Sequence, residues 1–222
     1  MYMTEIEILQ EVSSKVPGFC LGVLEMKVVV EPSGEALLEL IKGRVAELEG
    51  SMSVEAITDY KAIKGSKAGY RLLGADPSRY RLSADSLVRR VVKGSGLYYV
   101  NNVVDLLNYQ SIGTGYSICG YDVKSIYGKV TLGVGEADEA YVGIGRGNLN
   151  ITNMPVFRDD FGPFGTPTSD STRTAVSKKT TSFLMIYVAF DGGADLPQIL
   201  EETKTLYEKY CFATEVNTRI LK

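Results

Sequence analysis

The sequence predicts a single α+β domain that covers residues 1–222. Its first half contains several segments in which apolar residues recur at helical spacing, whereas apolar and polar residues alternate in much of its second half. The chain is 45% hydrophobic and 23% charged, which is typical of a globular protein with a sizeable core. No repeat of fixed period and no low-complexity linker divides it, so we predict one domain.

The first half is predicted to begin with two strands and to continue with four helices. From Glu5 to Val12 isoleucines alternate with acids, and Leu21 to Val30 is rich in β-branched residues, as strands are. Serine and asparagine favour helix N-caps, and such residues precede the apolar spacing of each helix. The predicted helices run from Ser33 to about Glu49, onward from Ser53, from Ser83 to near Lys93, and from Asn102, capped by Asn101, to about Tyr109.

The second half is predicted to contain four strands, a long loop and a last helix. Alternating apolar and polar residues indicate half-buried strands, and a continuous apolar run is typical of a strand buried on both faces. The loop is rich in glycine, proline, serine and threonine. In chain order, the predicted strands are Val130 to Val134, Ala140 to Ile144, Pro155 to Phe157 and Phe183 to Phe190, with the loop from Phe161 to Thr174 and the helix from about Asp195.

The sequence contains no histidine, and this absence excludes several kinds of active site. Ser-His-Asp and Cys-His nucleophile pairs are excluded, as are HExxH and Cys2His2 zinc sites. A general base must therefore be a carboxylate, a lysine or tyrosine with a shifted pKa, a thiolate or a bound substrate group. The three cysteines are widely separated and form no metal-binding motif, so we expect neither a metal nor a cofactor.

The chain begins with MYMTEIEILQ, which lacks the basic and apolar pattern of a secretory leader. Its longest apolar run is too short to cross a membrane. An odd number of scattered cysteines is typical of a reducing compartment. We therefore expect a cytoplasmic protein without a membrane partner.

A basic segment lies between Lys61 and Lys93, where nine basic residues stand against two acidic ones in a chain of net charge −3. This local excess predicts contact with a polyanion rather than extensive coating of DNA, so no DNA partner is expected. Arg89, Arg90 and Lys93 are the candidate RNA-binding residues, and Tyr98 can stack on unpaired bases. The alternative is that these residues form an ordinary solvated helix face.

Three segments of the sequence carry motifs that occur together in one family. The first is VPGFCLGVLEMKVVV (Val16 to Val30), and the second is YRLLGADPSRYRLSADSLVRRVVKGSGLYYVNNVVDLLNYQSIGTGYSICGYDV (Tyr70 to Val123). The third is GTPTSDSTRTAVSKKTTSFLMI (Gly165 to Ile186). In this order and at these separations they resemble a stand-alone B3/B4 domain, the module that hydrolyses mischarged tRNA in the β subunit of bacterial phenylalanyl-tRNA synthetase.

The resemblance implies an α+β fold with a mixed sheet or barrel core and flanking helices. It also implies a pocket for the aminoacyl-adenosine end of tRNA, so the expected partner is a tRNA 3′ end. Asn108 matches the asparagine of the family's VVDxTNY motif and can hydrogen-bond the substrate ester or ribose. Tyr121 and Asp122 match the aromatic–Asp pair of its PLHAFD motif, in which Cys119 replaces the histidine. Ile186 aligns with the glutamate with which the synthetase domain contacts the hydroxyl of a tyrosine wrongly attached to phenylalanine tRNA.

The loop from Ser169 to Thr174 takes the place of the family's glycine-rich turn. Ester hydrolysis needs a positioned water and donors for the developing oxyanion. Asp170 is the candidate to orient water or bind an α-ammonium group. Asn108 and Cys119 are the other candidate catalytic residues. A thiolate at Cys119 needs a cationic neighbour or a helix terminus to lower its pKa. The candidate substrate-binding residues of the loop are Ser169, Ser171, Arg173 and Thr174. The alternative is that the serines form turn hydrogen bonds and the arginine pairs with a neighbouring acid.

Two functions from different classes remain open. The first is a tRNA-binding enzyme that hydrolyses misacylated tRNA in trans. The second is a non-catalytic module that binds tRNA ends or an amino-acid-like ligand. Turnover of charged tRNA distinguishes the two, and the sequence predicts neither the amino acid recognised nor the oligomeric state.

Overall fold

The computed structural model describes residues 3–222, which contain six α-helices and ten β-strands. The strands form two open sheets and a short hairpin. The helices are α1 (Gln10–Ser13), α2 (Glu35–Ser51), α3 (Lys61–Leu73), α4 (Ser83–Val92), α5 (Asn102–Thr114) and α6 (Leu196–Tyr210). The strands are β1 (Ile6–Ile8), β2 (Cys20–Lys27), β3 (Ser117–Asp122), β4 (Val130–Val134), β5 (Val142–Gly143), β6 (Gly147–Asn148), β7 (Pro155–Asp159), β8 (Gly162–Gly165), β9 (Ser182–Ala189) and β10 (Thr214–Leu221). Turns of 3₁₀ helix lie at Ala56–Asp59, Val123–Ser125 and Thr172–Thr174.

The central sheet has the strand order β10–β2–β9–β3, and all of its neighbouring strands are antiparallel. Strand β9 is buried throughout its length, as its continuous apolar sequence predicts. Phe183, Met185 and Tyr187 pack against the helices, whereas Leu184 and Ile186 face the second sheet. The two hydrophobic cores of the described residues therefore share this strand.

The second sheet has the strand order β1–β4–β7–β8, with β1 and β4 parallel and the other pairs antiparallel. Both sheets keep open edges, so the core is of the mixed-sheet kind and does not close into a barrel. The α+β prediction is confirmed. The extent of a single domain over residues 1–222 stays a prediction.

Two helices follow the prediction closely. Asn101 caps α5, since its Oδ1 accepts a hydrogen bond from the Val104 N–H at 2.9 Å. This helix continues past Tyr109 to Thr114, where Gly115 takes a left-handed φ of 77° and ends it. The helix predicted near Asp195 is present as α6. None of the helices described in residues 3–222 is long and apolar enough to cross a membrane.

Three helix starts differ from the prediction. Helix α2 begins at Glu35, and Ser33 does not cap it, since the Ser33 hydroxyl donates to Asp105 Oδ2 at 2.6 Å. After Ser53 the chain forms only a 3₁₀ turn, and α3 begins beyond that turn. Ser83 is the first residue of α4 and therefore not its cap.

Several strands also differ from the prediction. Strand β1 ends at Ile8, and the short helix α1 follows it. The alternation from Ala140 to Ile144 gives only the two-residue strand β5. The loop predicted from Phe161 to Thr174 contains β8 and a 3₁₀ turn. Strands β3 and β10 are not predicted from the sequence, because β3 has no regular alternation and β10 depends on its pairing with β2 at the sheet edge.

Candidate functional site

A cleft of about 330 Å³ opens beside β3, where α5 meets the loop that follows β8. Most of its lining is aliphatic, and a small set of polar residues completes it, which is the usual form of a small-molecule site. The polar residues are Ser83, Asn108, Thr166, Ser169 and Asp170. The apolar residues are Val100, Val104, Leu107, Ile118, Ile144, Ala175 and Val176.

Strand β3 contributes Ile118 and Gly120 to the cleft. A Cβ atom at Gly120 would lie 2.6 Å from Leu107 Cδ1 and 3.0 Å from Phe183 Cε2. Glycine therefore allows the Leu107 side chain of α5 to pack onto the strand. Gly120 is not among the site residues predicted from the sequence, because its importance comes from the packing of a helix over a strand that is itself not predicted.

Asp170 supplies the carboxyl group of the cleft. Its Oδ1 accepts a hydrogen bond from the Tyr121 hydroxyl at 2.8 Å, and its Oδ2 accepts a long one from the Gly120 N–H at 3.5 Å. Burial raises the pKa of Asp170 from 3.8 to about 7, although the hydrogen bonds from Tyr121 and Gly120 act in the opposite direction. At neutral pH the carboxyl is therefore near the midpoint of its titration, and Oδ2 is the oxygen with the weaker protein contact.

The loop that carries Asp170 is fixed by its own hydrogen bonds. Thr166 Oγ1 accepts from the Ser169 N–H at 3.0 Å, and the Tyr141 hydroxyl donates to the Ser169 carbonyl at 2.6 Å. The Ile144 N–H donates to the Asp170 carbonyl at 2.8 Å. Such side-chain and backbone bonds stabilise turns, so Asp170 is held in place although no helix or strand contains it.

Asn108 lies on α5 and lines the same cleft. It follows Val104 by four positions, so both side chains are on one face of the helix. Asn108 is half-buried, and within residues 3–222 its amide has no hydrogen-bond partner. The amide can therefore both donate to a ligand oxygen and accept from a ligand N–H or O–H.

The later residues of the predicted loop do not line the cleft. Arg173 makes a bidentate ion pair with Asp159, at N···O distances of 2.9 and 2.8 Å, and not with Asp170. Ser171 Oγ accepts from the Arg173 N–H and caps the 3₁₀ turn, and Thr174 is buried. The arginine thus pairs with a neighbouring acid, as the structural alternative expects. Substrate binding by these three residues stays a prediction that the geometry does not favour.

Cys119 and Ile186 lie between the two sheets, as register partners on β3 and β9, and neither lines the cleft. Burial, followed by the negative charge of Asp170, raises the pKa of the Cys119 thiol. A thiolate nucleophile needs a lowered pKa, so this environment opposes the catalytic role predicted for Cys119. Ile186 is fully buried and contributes to packing.

Tyr121 and Asp122, the aromatic–Asp pair of the motif, lie beside the cleft and do not line it. The Tyr121 ring packs edge-on against Phe164 at 4.9 Å between ring centres, and its hydroxyl reaches Asp170. Asp122 Oδ1 accepts from the Lys124 N–H at 3.0 Å, and its Oδ2 accepts from the Thr180 hydroxyl at 2.9 Å. Tyr121 therefore positions the carboxyl group, whereas Asp122 stabilises the end of β3.

The predicted RNA-binding residues lie on α4 and in the segment after it. Arg90 Cζ lies 3.8 Å from the centre of the Tyr98 ring, and Arg90 also donates to the Tyr98 hydroxyl at 2.9 Å. Arg89 hydrogen-bonds Asp85, and Lys93 is exposed. Tyr98 is 62% exposed, so it stays accessible although Arg90 covers one side of its ring.

These features define the class of the protein: an α+β domain whose largely aliphatic cleft carries one amide and one carboxyl group of raised pKa. Among the described residues, no group of three or more aspartate, glutamate or cysteine side chains is placed to hold a metal ion. The model of the B3/4 domain family matches residues 66–216. The chain therefore belongs to the B3/4 domain family, as its motifs predict.

The chain is similar in structure to a solved fragment of a synthetase subunit. It is similar to an N-terminal fragment of the phenylalanyl-tRNA synthetase β subunit from Pyrococcus horikoshii, with a TM-score of 0.47 and 10% sequence identity. The similarity covers 99% of this chain and 52% of that one, so this chain spans about half the length of the fragment. A comparison with curated protein sequences finds no match.

Proposed function

We propose that this B3/4 domain binds the aminoacyl-adenosine end of tRNA in the cleft and hydrolyses the ester bond between the amino acid and the ribose. The observation that carries the proposal is the presence of Asn108 and Asp170 in one cleft, with the Asp170 pKa raised to about 7. Membership of the family supports the same substrate class, because its motifs resemble those of a tRNA-editing domain.

The size of the cleft favours the aminoacyl group as the part of tRNA that enters. Its volume of about 330 Å³ is near the lower end of the ~300–1,000 Å³ range of small-molecule sites. The aliphatic wall formed by residues such as Val104 and Leu107 suits the side chain of the amino acid. The body of the tRNA then lies outside, where the exposed rings of Tyr98 and Tyr99 can stack on bases of the 3′ end.

Asp170 acts as the general base in this proposal. Since Tyr121 holds Oδ1, Oδ2 takes a proton from a water whose oxygen attacks the ester carbonyl carbon. The bond between that carbon and the ribose oxygen then breaks, and the ribose oxygen leaves with the proton that Asp170 returns. A pKa near the working pH suits a group that first accepts and then donates a proton.

Asn108 stabilises the transition state by donating to the developing oxyanion. Its amide has no competing partner within the described residues, so no internal bond has to break when substrate binds. Removal of one such donor typically lowers kcat by about 10²–10³-fold. We therefore expect Asn108→Ala to reduce hydrolysis by about 100-fold.

The test is a hydrolysis assay with a panel of tRNAs charged with correct and incorrect amino acids, including tyrosine on phenylalanine tRNA. Loss of the ester is measured against a sample without protein, for the wild type, Asn108→Ala and Asn217→Ala. Asn217 lies on β10, at the opposite edge of the central sheet from the cleft, so its variant should retain the wild-type rate. Absence of hydrolysis with every charged tRNA would refute the catalytic part of the proposal.

A non-catalytic binding module is the second candidate. It is favoured by the burial of Cys119 and by the lack of histidine, which leave Asp170 as the one ionisable side chain among the described residues that line the cleft. In that case the protein protects charged tRNA from spontaneous hydrolysis in proportion to the amount bound. Asn108→Ala should then weaken the protection, and the same assay measures it.

A cytoplasmic location is part of the proposal. Cys20, Cys119 and Cys211 are free and buried in the described structure, which fits a reducing compartment. Cell fractionation with immunodetection tests this location, and recovery in the membrane or secreted fraction would contradict it.

A further inference from the structure

A second pocket, of about 200 Å³, lies between α3, α4 and the loop at Pro77 and Ser78. It shares no lining residue with the cleft. The rest of its lining is charged throughout and consists of Lys67, Arg71, Arg81, Asp85 and Arg89. The pocket lining thus contains four cationic side chains and a single carboxylate.

Asp85 is buried and holds three of these cations around itself. Its carboxylate oxygens lie 3.0 Å from Lys67 Nζ, 3.2 Å from Arg89 Nη2 and 4.0 Å from Arg81 Nε. The side chains of Lys67 and Arg89 are only 17% and 23% exposed, so they are fixed in the pocket rather than free in solvent. One carboxylate does not neutralise three cations, and its effect is to hold them close together.

Arg71 adds a fourth positive charge and makes no salt bridge within residues 3–222, although its charge contributes, after the hydrogen bonds from Ser78, to lowering the pKa of Asp76. Asp76, in the adjoining loop, is engaged in its own turn, where Oδ1 accepts from the Ser78 N–H at 2.9 Å and the Ser78 hydroxyl at 2.6 Å. The pocket lining therefore keeps a large excess of positive charge. Like charges held this close repel one another, and a bound anion would offset part of that repulsion.

We propose that this pocket binds a phosphate group. Guanidinium groups donate two parallel N–H bonds to phosphate oxygens, and Arg71 and Arg81 are the two with most capacity left for such bonds. A volume of about 200 Å³ lies below the ~300 Å³ at which sites for larger small molecules begin, so it suits a single phosphate group.

The position of the pocket favours a phosphate of tRNA, and this choice of source rests on the proposed function. Ser83, at the start of α4, lines the cleft, whereas Asp85 and Arg89 of the same helix line the pocket. Residues two positions apart lie on nearly opposite faces of a helix whose diameter is about 10 Å. The cleft and the pocket are therefore about one helix diameter apart, and we infer that a tRNA whose end occupies the cleft places a backbone phosphate at the pocket. A free phosphorylated small molecule carries the same group.

The first arm of the test measures binding of inorganic phosphate by isothermal titration calorimetry. Arg71→Gln removes a charge that has no internal ion pair to lose, so we expect a folded variant with about tenfold weaker phosphate binding. Arg79→Gln is the matched control, because Arg79 is exposed, contacts Tyr80 and does not line the pocket. It should change the affinity by less than about twofold. No phosphate binding by the wild type, or an equal loss in both variants, overturns the proposal.

The second arm measures binding of uncharged tRNA over a salt series. One lost phosphate contact lowers the slope of log affinity against log salt by about 0.7 for a single strand. A lower slope with Arg71→Gln supports an RNA phosphate as the ligand, and an effect on inorganic phosphate alone supports a free phosphorylated molecule in the same pocket. Neither arm measures ester hydrolysis, so failure of the proposed catalysis leaves the phosphate result intact.

Discussion

Asp170→Asn is expected to stabilise the protein above pH 7 and, in the same variant, to stop hydrolysis. The folded protein holds this carboxyl at a pKa of about 7, against an ordinary value of 3.8 for the unfolded chain. Between these values the folded state binds a proton that the unfolded state has released, so stability falls as the pH rises from about 4 to about 7. Above this window the full cost of ionising Asp170 in the cleft is present.

The magnitude follows from the pKa and the exposure of the group. At full burial, the rise from 3.8 to about 7 corresponds to about 4 kcal/mol. Asp170 is half-buried and solvent screens its charge, so we expect about 2 kcal/mol. Asparagine has the same shape and keeps an oxygen that accepts the bond from Tyr121. The variant should therefore gain about 2 kcal/mol in free energy of unfolding at pH 8 and little near pH 4.

Urea unfolding at the two pH values measures this difference for the wild type, Asp170→Asn and the control Asp138→Asn. Asp138 is exposed and has a φ of 61°, a conformation that asparagine tolerates, so its variant should behave as the wild type does. In the hydrolysis assay, the wild-type rate should rise with pH and level off above about 7, because the base acts in its ionised form.

Equal stability of the wild type and Asp170→Asn at pH 8 would refute the reasoning, because it would mean that the cleft does not disfavour the ionised carboxyl. A stabilised variant that still hydrolyses the ester would support the raised pKa of Asp170 but would show that Asp170 is not the general base. A stabilised and inactive variant is the expected combination, since catalytic groups are often kept in environments that cost stability.

Two further substitutions test whether Tyr121 positions the Asp170 carboxyl group and whether Arg173 stabilises the fold or binds tRNA. Tyr121→Phe removes a hydrogen bond to the ionised form of Asp170 and should raise the midpoint of the pH–rate profile by about one pH unit, so an unchanged midpoint would contradict the assignment. Arg173→Gln leaves Asp159, whose side chain is 0% exposed, without its ion-pair partner and should lower the free energy of unfolding by about 3 kcal/mol. Burial alone would raise the pKa of Asp159, but Arg173 and the backbone N–H groups of Tyr127 and Phe161 together lower it overall, so this difference should shrink as the pH falls through the lowered pKa. A loss of tRNA affinity without a loss of stability would instead support the predicted binding role.

Elements with local determinants could be predicted from the sequence. The cap at Asn101 is a contact between residues three positions apart, and the burial of β9 follows from its own apolar residues. Other elements depend on distant partners. Serine is a common N-cap residue, but the Ser33 hydroxyl donates a hydrogen bond to Asp105, which lies on another helix. Strand β10 forms against β2, which lies at the other end of the chain. The sequence contains no local signal for such pairings.

The site was predictable to the extent that its residues belong to recognisable motifs. Asn108 is far in sequence from the adjacent residues Ser169 and Asp170, and the structure places all three in one cleft. The environment of each residue could not be predicted in the same way. The partner of Arg173 is an acid on β7, outside the motif that contains the arginine. Gly120 lines the cleft because its strand lies under α5, and a single glycine in the sequence does not indicate that contact.

The absence of histidine from the sequence makes the direction of two pKa shifts decisive for the chemistry. An ordinary carboxylate is a weak base at neutral pH, and burial raises the pKa of Asp170 to about 7, close to the value that suits proton transfer. Burial raises the pKa of Cys119 as well, but there it suppresses the thiolate that a nucleophile requires. The same desolvation therefore makes the carboxyl a better base and the thiol a poorer nucleophile. Within the proposed function, these two pKa shifts favour attack by water, activated at Asp170, over a covalent intermediate on Cys119.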